Sequence, residues 1–234
     1  MQSDLPKVLH PLLDRPMIAY VLEAVSTLSP WQLVVVVGYR GDLVRGEVGD
    51  RAKFAEQQRR LGTGHAVLQA RFAAGNCDSI IVLYGDMPLV RAETLQCLWQ
   101  QHSRGTTPIT MMVLKSSQSR GFGRIVRDQH GHVCAIVEEA DCTPQQRAID
   151  ELNPGVYCFD ADWLWVHLQE LPLHPDKGDE GEYYLTDLIA MAVAEGHTIA
   201  DVVSEDPLEA LGVNTPRHLL QAEEGLRHRL GNSR

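Results

Sequence analysis

The chain of 234 residues is long enough to bury a sizeable core in one or two domains, and its apolar fraction of 44% is ordinary for a globular protein. A net charge of −10 argues against a general nucleic-acid binder, which needs a basic face to displace counterions, but not against a nucleotide substrate handled by a few placed cations. No apolar run approaches the roughly 20 residues that cross a bilayer, and Met1-Gln2-Ser3-Asp4 carries no leader pattern, so no membrane partner and a cytoplasmic location are expected. Cys77, Cys97, Cys134, Cys142 and Cys158 include no C-x-x-C pair, which disfavours a disulfide framework or a structural zinc site.

Leu5 to Leu13 is an apolar segment broken by Pro6 and Pro11 and reads as a loop laid on the body, with Lys7 as its one cation, either solvated or functional. Pro16 suits the first turn of a helix carrying Met17, Ile18, Val21, Leu22 and Val25 at helical spacing. Leu33–Val37 reads as a buried strand. Gly62-Thr63-Gly64 then opens a helix to about Phe72, either as a plain turn or as a place where backbone N–H groups approach a ligand.

Ile80 to Leu83 reads as a strand buried on both faces of a mostly parallel sheet, and it stops at Tyr84-Gly85-Asp86. Asp86 either caps the following turn, since Pro88 is near, or stands where open α/β sheets bind ligands, outside the carboxyl ends of their strands. A helix over about 91–102 and a strand over 110–114 follow. From Gly121 the texture changes to a hairpin, with its turn at Gln129–His132 and its return strand at Val133–Val137. Another strand covers 156–159, helices cover about 162–171 and 184–194 around a mobile loop at 172–181, and a late strand runs over 198–203. Pro216 onward reads as a polar helix without a partner face. The order implies a doubly wound, Rossmann-like α/β core carrying a hairpin-rich second lobe, with a domain over 1–215 and a helical linker or tail over 216–234.

Eight segments, in order, resemble the pyrophosphorylase domain of N-acetylglucosamine-1-phosphate uridyltransferases: LPKVLHPLLDRPM from Leu5, LGTGHA from Leu61, YGDMPL from Tyr84, GFGRI from Gly121, IVEE from Ile136, ELNPGVY from Glu151, EYYLTD from Glu182 and GVN from Gly212. The resemblance covers almost the whole chain. It implies a mixed sheet of the nucleotide-diphospho-sugar transferase type and a Mg²⁺-dependent transfer of uridylyl from UTP to N-acetylglucosamine 1-phosphate. The products would be UDP-N-acetylglucosamine and pyrophosphate, serving cell-envelope polymers.

Carried over by position, Asp86 and Asn214 would hold the metal, Lys7 would sit on the phosphates, and Gln57, Gly62, Thr63, Tyr84 and Gly85 would line the nucleotide. Gly123, Glu138 and Asn153, with Tyr184, Thr186 and Asn214, would line the sugar; taken alone, Asn153 reads equally as a turn residue and Glu138 as a solvated strand end. The resemblance also implies a strand and a glycine-rich loop ahead of Leu5. Neither stands in the chain, so Met1 is expected to be an internal methionine, a central sheet edge to be unpaired, and UTP binding to be impaired. Bifunctional members continue into a left-handed β-helix that acetylates and trimerises; the chain stops at Arg234 within linker-like sequence, without hexapeptide repeats. Related specificities, or a catalytically dead binding module, are the alternative readings.

Overall fold

The computed structural model describes residues 4–118 and 121–232; Met1 and Arg234 lie outside them. A short turn at Lys7–Leu9 leads into a minimal hairpin of β1 (Pro11–Leu12) and β2 (Arg15–Pro16). Helix α1 (Met17–Ser26) follows with Pro16 at its N-cap, and buries Met17, Ile18, Val21 and Leu22. Then come β3 (Val34–Val37), α2 (Gly41–Val48) and β4 (Lys53–Glu56), which pairs parallel with β3. Neither α2 nor β4 is legible in the sequence, because both are short and mostly polar. Helices α3 (Gly62–Gln69) and α4 (Arg71–Ala74) precede β5 (Ser79–Val82), and α5 (Ala92–Arg104) precedes β6 (Ile109–Lys115).

The main sheet is mixed, as expected, but its pairs are mostly antiparallel. Strand β6 is its centre, with β13 (Ala200–Ser204) parallel on one side and β9 (Glu151–Asn153) and β10 (Tyr157–Asp160) antiparallel on the other. Alternation along β6 sorts its side chains to two faces. Ile109, Met111 and Val113 join a core with Leu164 and Trp165 of α7 (Ala161–His167) and Leu188 and Ile189 of α8 (Asp187–Ala194). Met112 and Leu114 join Leu95 and Leu98 of α5 on the other face. Helices on both faces of one sheet are the doubly wound arrangement.

The break at Asn153–Tyr157 splits the sheet. Strand β10 leads to β5, while β9 leads to the hairpin of β7 (Gly123–Arg127) and β8 (Val133–Val137), so the lobe grows from the same sheet as the core. A short α6 (Pro144–Arg147), with a complete capping box at Thr143 and Gln146, bridges the lobe to β9.

The reading of residues 80–83 as a doubly buried parallel strand is corrected. Strand β5 is only half-buried, pairs antiparallel with β10, and among the described residues has no strand on its other edge. An apolar run reports a need for burial but not strand direction. Facing that free edge, across an apolar cavity of about 750 Å³ lined by Val34, Val36, Ile80, Val82 and Val67, is the separate β3–β4 pair. The expected unpaired edge is therefore present, between two parts of the core.

The loop over 172–181 contributes β11 (Leu173–His174), which pairs with β12 (Glu182–Tyr183). The helix expected from 184 starts at Asp187, because Tyr184 to Thr186 form a turn. Helix α9 (Pro216–Asn232), read as having no partner face, docks through Ala222, Leu219 and Leu226 onto Leu12, Met17, Leu89 and Val213, and Arg229 bonds the Leu89 carbonyl and Asp206. Its apolar residues are sparse, but their spacing places them on one stripe. Among the described residues no helix is long and apolar enough to cross a membrane.

Candidate active site

Strand β5 ends at Val82, and the next four residues bring Asp86 to Lys7. The Lys7 ammonium lies 2.5 Å from Asp86 Oδ2 and 2.7 Å from Asn214 Oδ1. Asp86 is largely enclosed, its side chain 14% exposed, while that of Lys7 keeps 39%. Asn214 arrives from far along the chain because Val213 N–H donates to the Asp86 carbonyl at 2.9 Å, so backbone as well as side chain ties this loop to the end of β5. Gly212 lies beside the pair, where a Cβ would be in ordinary van der Waals contact with Asp86 Oδ2 at 3.7 Å. His218, a residue the sequence did not flag, braces the same loop through the Gly212 carbonyl at 3.1 Å.

Two side-chain oxygens thus converge on one cationic point. A carboxylate and an amide carbonyl are donors of the type Mg²⁺ accepts, and Mg²⁺ keeps several waters or phosphate oxygens besides one or two protein ligands. The pair fits such an ion, provided the ammonium gives up its place between them. Among the described residues no group of three or more His, Cys, Asp or Glu side chains forms a denser metal cluster.

A second group lies at the start of α3. Gly62 has φ +88°, and a Cβ there would meet the Tyr183 carbonyl oxygen at 2.6 Å, so glycine is required by both conformation and space. Tyr183 N–H in turn donates to the Leu61 carbonyl, and Leu185 N–H to Thr63 Oγ1, which holds the turn against β12. No side chain caps this helix start. Gln57, leaving β4 with its N–H on the Val37 carbonyl, donates its amide to the Gly62 carbonyl at 3.0 Å. Gln57, Thr63, Tyr84, Gly85 and Lys7 border the same cavity.

The third group is the lobe. Gly123 pairs with Asn153 across β7 and β9. Asn153 is buried, and its Oδ1 accepts from Gly155 N–H at 3.1 Å and the Tyr157 hydroxyl at 2.8 Å, which leaves Nδ2 as its available donor. Asn153 thus is a turn residue and also a fixed donor. Glu138 follows β8 and accepts a long hydrogen bond, 3.4 Å, from Thr186 Oγ1. Burial raises the Glu138 carboxyl above its usual range, against the hydrogen bond from Thr186. Tyr184 stacks on His174 at 4.7 Å, and His174 bonds Asp187 at 2.7 Å, so β11, within a segment that reads as a loop, orders this wall.

Tyr84 joins the groups. Its ring lies against Gly155, where a Cβ would meet it at 2.4 Å. Tyr84 as a whole is 39% exposed, but desolvation around its hydroxyl pushes the phenol up to about 12, with the charges of Asp86 and Glu138 adding to the shift. Arg124, also missed in the sequence, is fully buried behind the lobe, donating to the Phe122 carbonyl and pairing with Glu139 at 3.7 Å. A bare Gly-Arg in a strand carries no signal of that kind.

The profile of the MobA-like NTP transferase domain matches residues 1–171. Bifunctional protein GlmU of Heliobacterium modesticaldum is 41% identical over 231 residues, an overlap of 98% of this chain and 50% of that protein. The protein of the same name from Bacillus cereus strain G9842 is 39% identical with the same coverage. The chain spans about half the length of these curated relatives. Among solved structures, CMP:2-keto-3-deoxy-manno-octonic acid synthetase complexed with CTP superposes with a TM-score of 0.72 at 19% identity, over 98% of this chain and 95% of that one. A putative glucose-1-phosphate thymidylyltransferase from Bacillus anthracis gives 0.71 at 17%, over 93% and 87%. At such identities the likeness shows the fold, a mixed α/β sheet of the nucleotide-diphospho-sugar transferase type. With the profile matched over residues 1–171, from the Lys7 segment through Asp86 to the lobe, the chain belongs to the MobA-like NTP transferase domain family.

Proposed function

We propose that this chain transfers a uridylyl group from UTP to N-acetylglucosamine 1-phosphate, releasing pyrophosphate and forming UDP-N-acetylglucosamine. The observation that carries the reading is the convergence of Lys7, Asp86 and Asn214 at the carboxyl end of β5, within a chain about 40% identical to GlmU proteins. Asp86 and Asn214 would hold Mg²⁺, which when bound withdraws charge from the phosphates. Lys7 then turns its ammonium to the phosphate oxygens, where a preorganised cation favours the charge that shifts during in-line attack. Gln57, Gly62 and Thr63 orient the base, and Glu138, the Asn153 amide and Thr186 read hydroxyls and the acyl amide of the sugar. Positioning of the two phosphates supplies much of the rate.

In this reading residues 1–215 form the catalytic domain and 216–234 a helical linker, and the protein works in the cytoplasm. Pyrophosphate release measured over UTP, CTP, dTTP and GTP, each with N-acetylglucosamine, glucose and glucosamine 1-phosphates, tests it. Highest turnover for UTP with the N-acetylated sugar supports the reading. Preference for another pair reassigns the specificity, and no turnover with any pair favours a binding module.

A further inference from the structure

Gln57 Nε2 lies 3.0 Å from the Gly62 carbonyl oxygen and 2.9 Å from His65 Nδ1. A backbone carbonyl only accepts, so the atom facing it is the amide nitrogen, and the orientation of Gln57 follows from the network. Its second hydrogen then points to His65 Nδ1, which must carry a lone pair. The imidazole is therefore neutral with its proton on Nε2. Burial and the charge of Arg59 both hold the His65 pKa below its ordinary value, which favours the neutral ring.

On the far side of the ring the Gln69 amide sits 3.1 Å from His65 Nε2. Gln69 Nε2 also lies 3.3 Å from the His65 carbonyl, a longer contact than the two that fix Gln57. The shorter pair sets the tautomer, and since an Nε2–H can only donate, Gln69 turns its oxygen to the ring and gives up that longer bond. The three side chains form one directed chain, from the His65 ring to the Gln69 carbonyl and from the Gln57 amide to the ring. Its outcome is at the open end. Both hydrogens of the Gln57 amide are used, and its Oε1, which has no partner among the described residues, is the one group left for a ligand.

We propose that His65 is a positioning residue for base selection, locking the Gln57 carbonyl outward as an acceptor. The inference rests on the reading of Gln57 as a contact of the nucleotide base. An outward acceptor beside the uncapped N–H groups of α3 matches an imide edge, which offers a ring N–H next to a carbonyl oxygen. Uracil presents that edge. Cytosine presents a ring lone pair and an amino group in those places and meets like against like. A buried polar site built for one hydrogen-bond pattern rejects the analogue that leaves its groups unpaired.

Two measurements on the chain test the inference. In ¹⁵N-resolved NMR of the unliganded protein near neutral pH, His65 should show the Nε2–H tautomer; an Nδ1–H tautomer or a protonated ring overturns it, whatever any variant does. In steady-state assays, His65→Phe should lower the UTP-to-CTP ratio of kcat/KM by about tenfold, the net effect of about one hydrogen bond, with the change falling on the KM for UTP rather than on kcat. Equal losses for both nucleotides overturn it. Gln57→Ala separates the two layers: an unchanged ratio there refutes the base-contact reading itself, whereas a lowered ratio in Gln57→Ala alone refutes only the role of His65. Thermal melts of both variants distinguish loss of selection from loss of fold.

Discussion

The Lys7 ammonium sits 2.5 Å from the Asp86 carboxylate, across 79 positions of sequence, and 2.7 Å from Asn214, across 207. No local structure accounts for this meeting. Lys7 lies on a short turn ahead of the first hairpin, Asp86 at the end of β5, and Asn214 on a loop held to the Asp86 backbone. The fold brings together one cation and two oxygen donors, the set that the proposed nucleotidyl transfer would use.

Removing that cation should be costly. Lys7→Ala is expected to lower turnover by about 10²–10³, as for other preorganised charge-stabilising donors. Steady-state kinetics of an active preparation check it. A change under about threefold would count against the assigned role.

Gly155 should tolerate no side chain. Its φ is +79°, and a Cβ would stand 2.4 Å from the Tyr84 ring. Gly155→Ala is expected to destabilise the chain by about 1–3 kcal/mol, combining backbone strain with overpacking. It should also raise the KM for the sugar phosphate, because Asn153 Oδ1 holds the same turn. Urea melts and kinetics read the two effects separately.

The candidate residues come from the resemblance of eight ordered segments to a known family, while the contacts among them are not legible in the sequence. The apolar run that stops at Tyr84-Gly85-Asp86 leaves Asp86 open between a turn cap and a ligand position. That β5 pairs antiparallel with β10, however, depends on a strand over seventy residues later, and an apolar run is blind to direction. Strand β4 and helix α2 escaped because Lys53, Glu56, Asp42 and Arg45 blur their periods. Helix α9 looked partnerless since its contacts, Leu12 and Leu89, stand far away in sequence. Arg124 and His174 were missed for the same reason: a lone charged or aromatic residue takes its meaning from neighbours that only the fold supplies.

Glu138 should make stability pH-dependent. Burial raises its folded-state pKa above the unfolded value, so its contribution is most favourable below the unfolded pKa, about 4.3, and is lost as pH rises through the folded value. Glu138→Gln is therefore expected to gain stability relative to the parent near neutral pH, with the difference shrinking toward pH 4, while sugar binding weakens. Denaturant melts from pH 4 to 8 check the sign. A Glu138→Gln chain less stable at pH 8 would contradict it.

The free edge of β5 should be visible in hydrogen exchange. Alternate amides of Ser79–Val82 point away from β10 toward the cavity, whereas β6 is paired on both sides. Those β5 amides are expected to exchange by local opening, orders of magnitude faster than the amides of β6. Equal protection in both strands would mean that the gap is closed in solution. An open edge of this type also promotes self-association, which light scattering would detect as concentration-dependent growth.

The most direct test of the central claim is Mg²⁺-dependent pyrophosphate release from UTP and N-acetylglucosamine 1-phosphate, compared between the parent chain and Asp86→Ala. The account predicts turnover in the parent that chelation abolishes, and a loss of at least about 10²-fold in the variant, whose melting curve stays cooperative. Equal turnover in the two chains, or turnover indifferent to Mg²⁺, would contradict it.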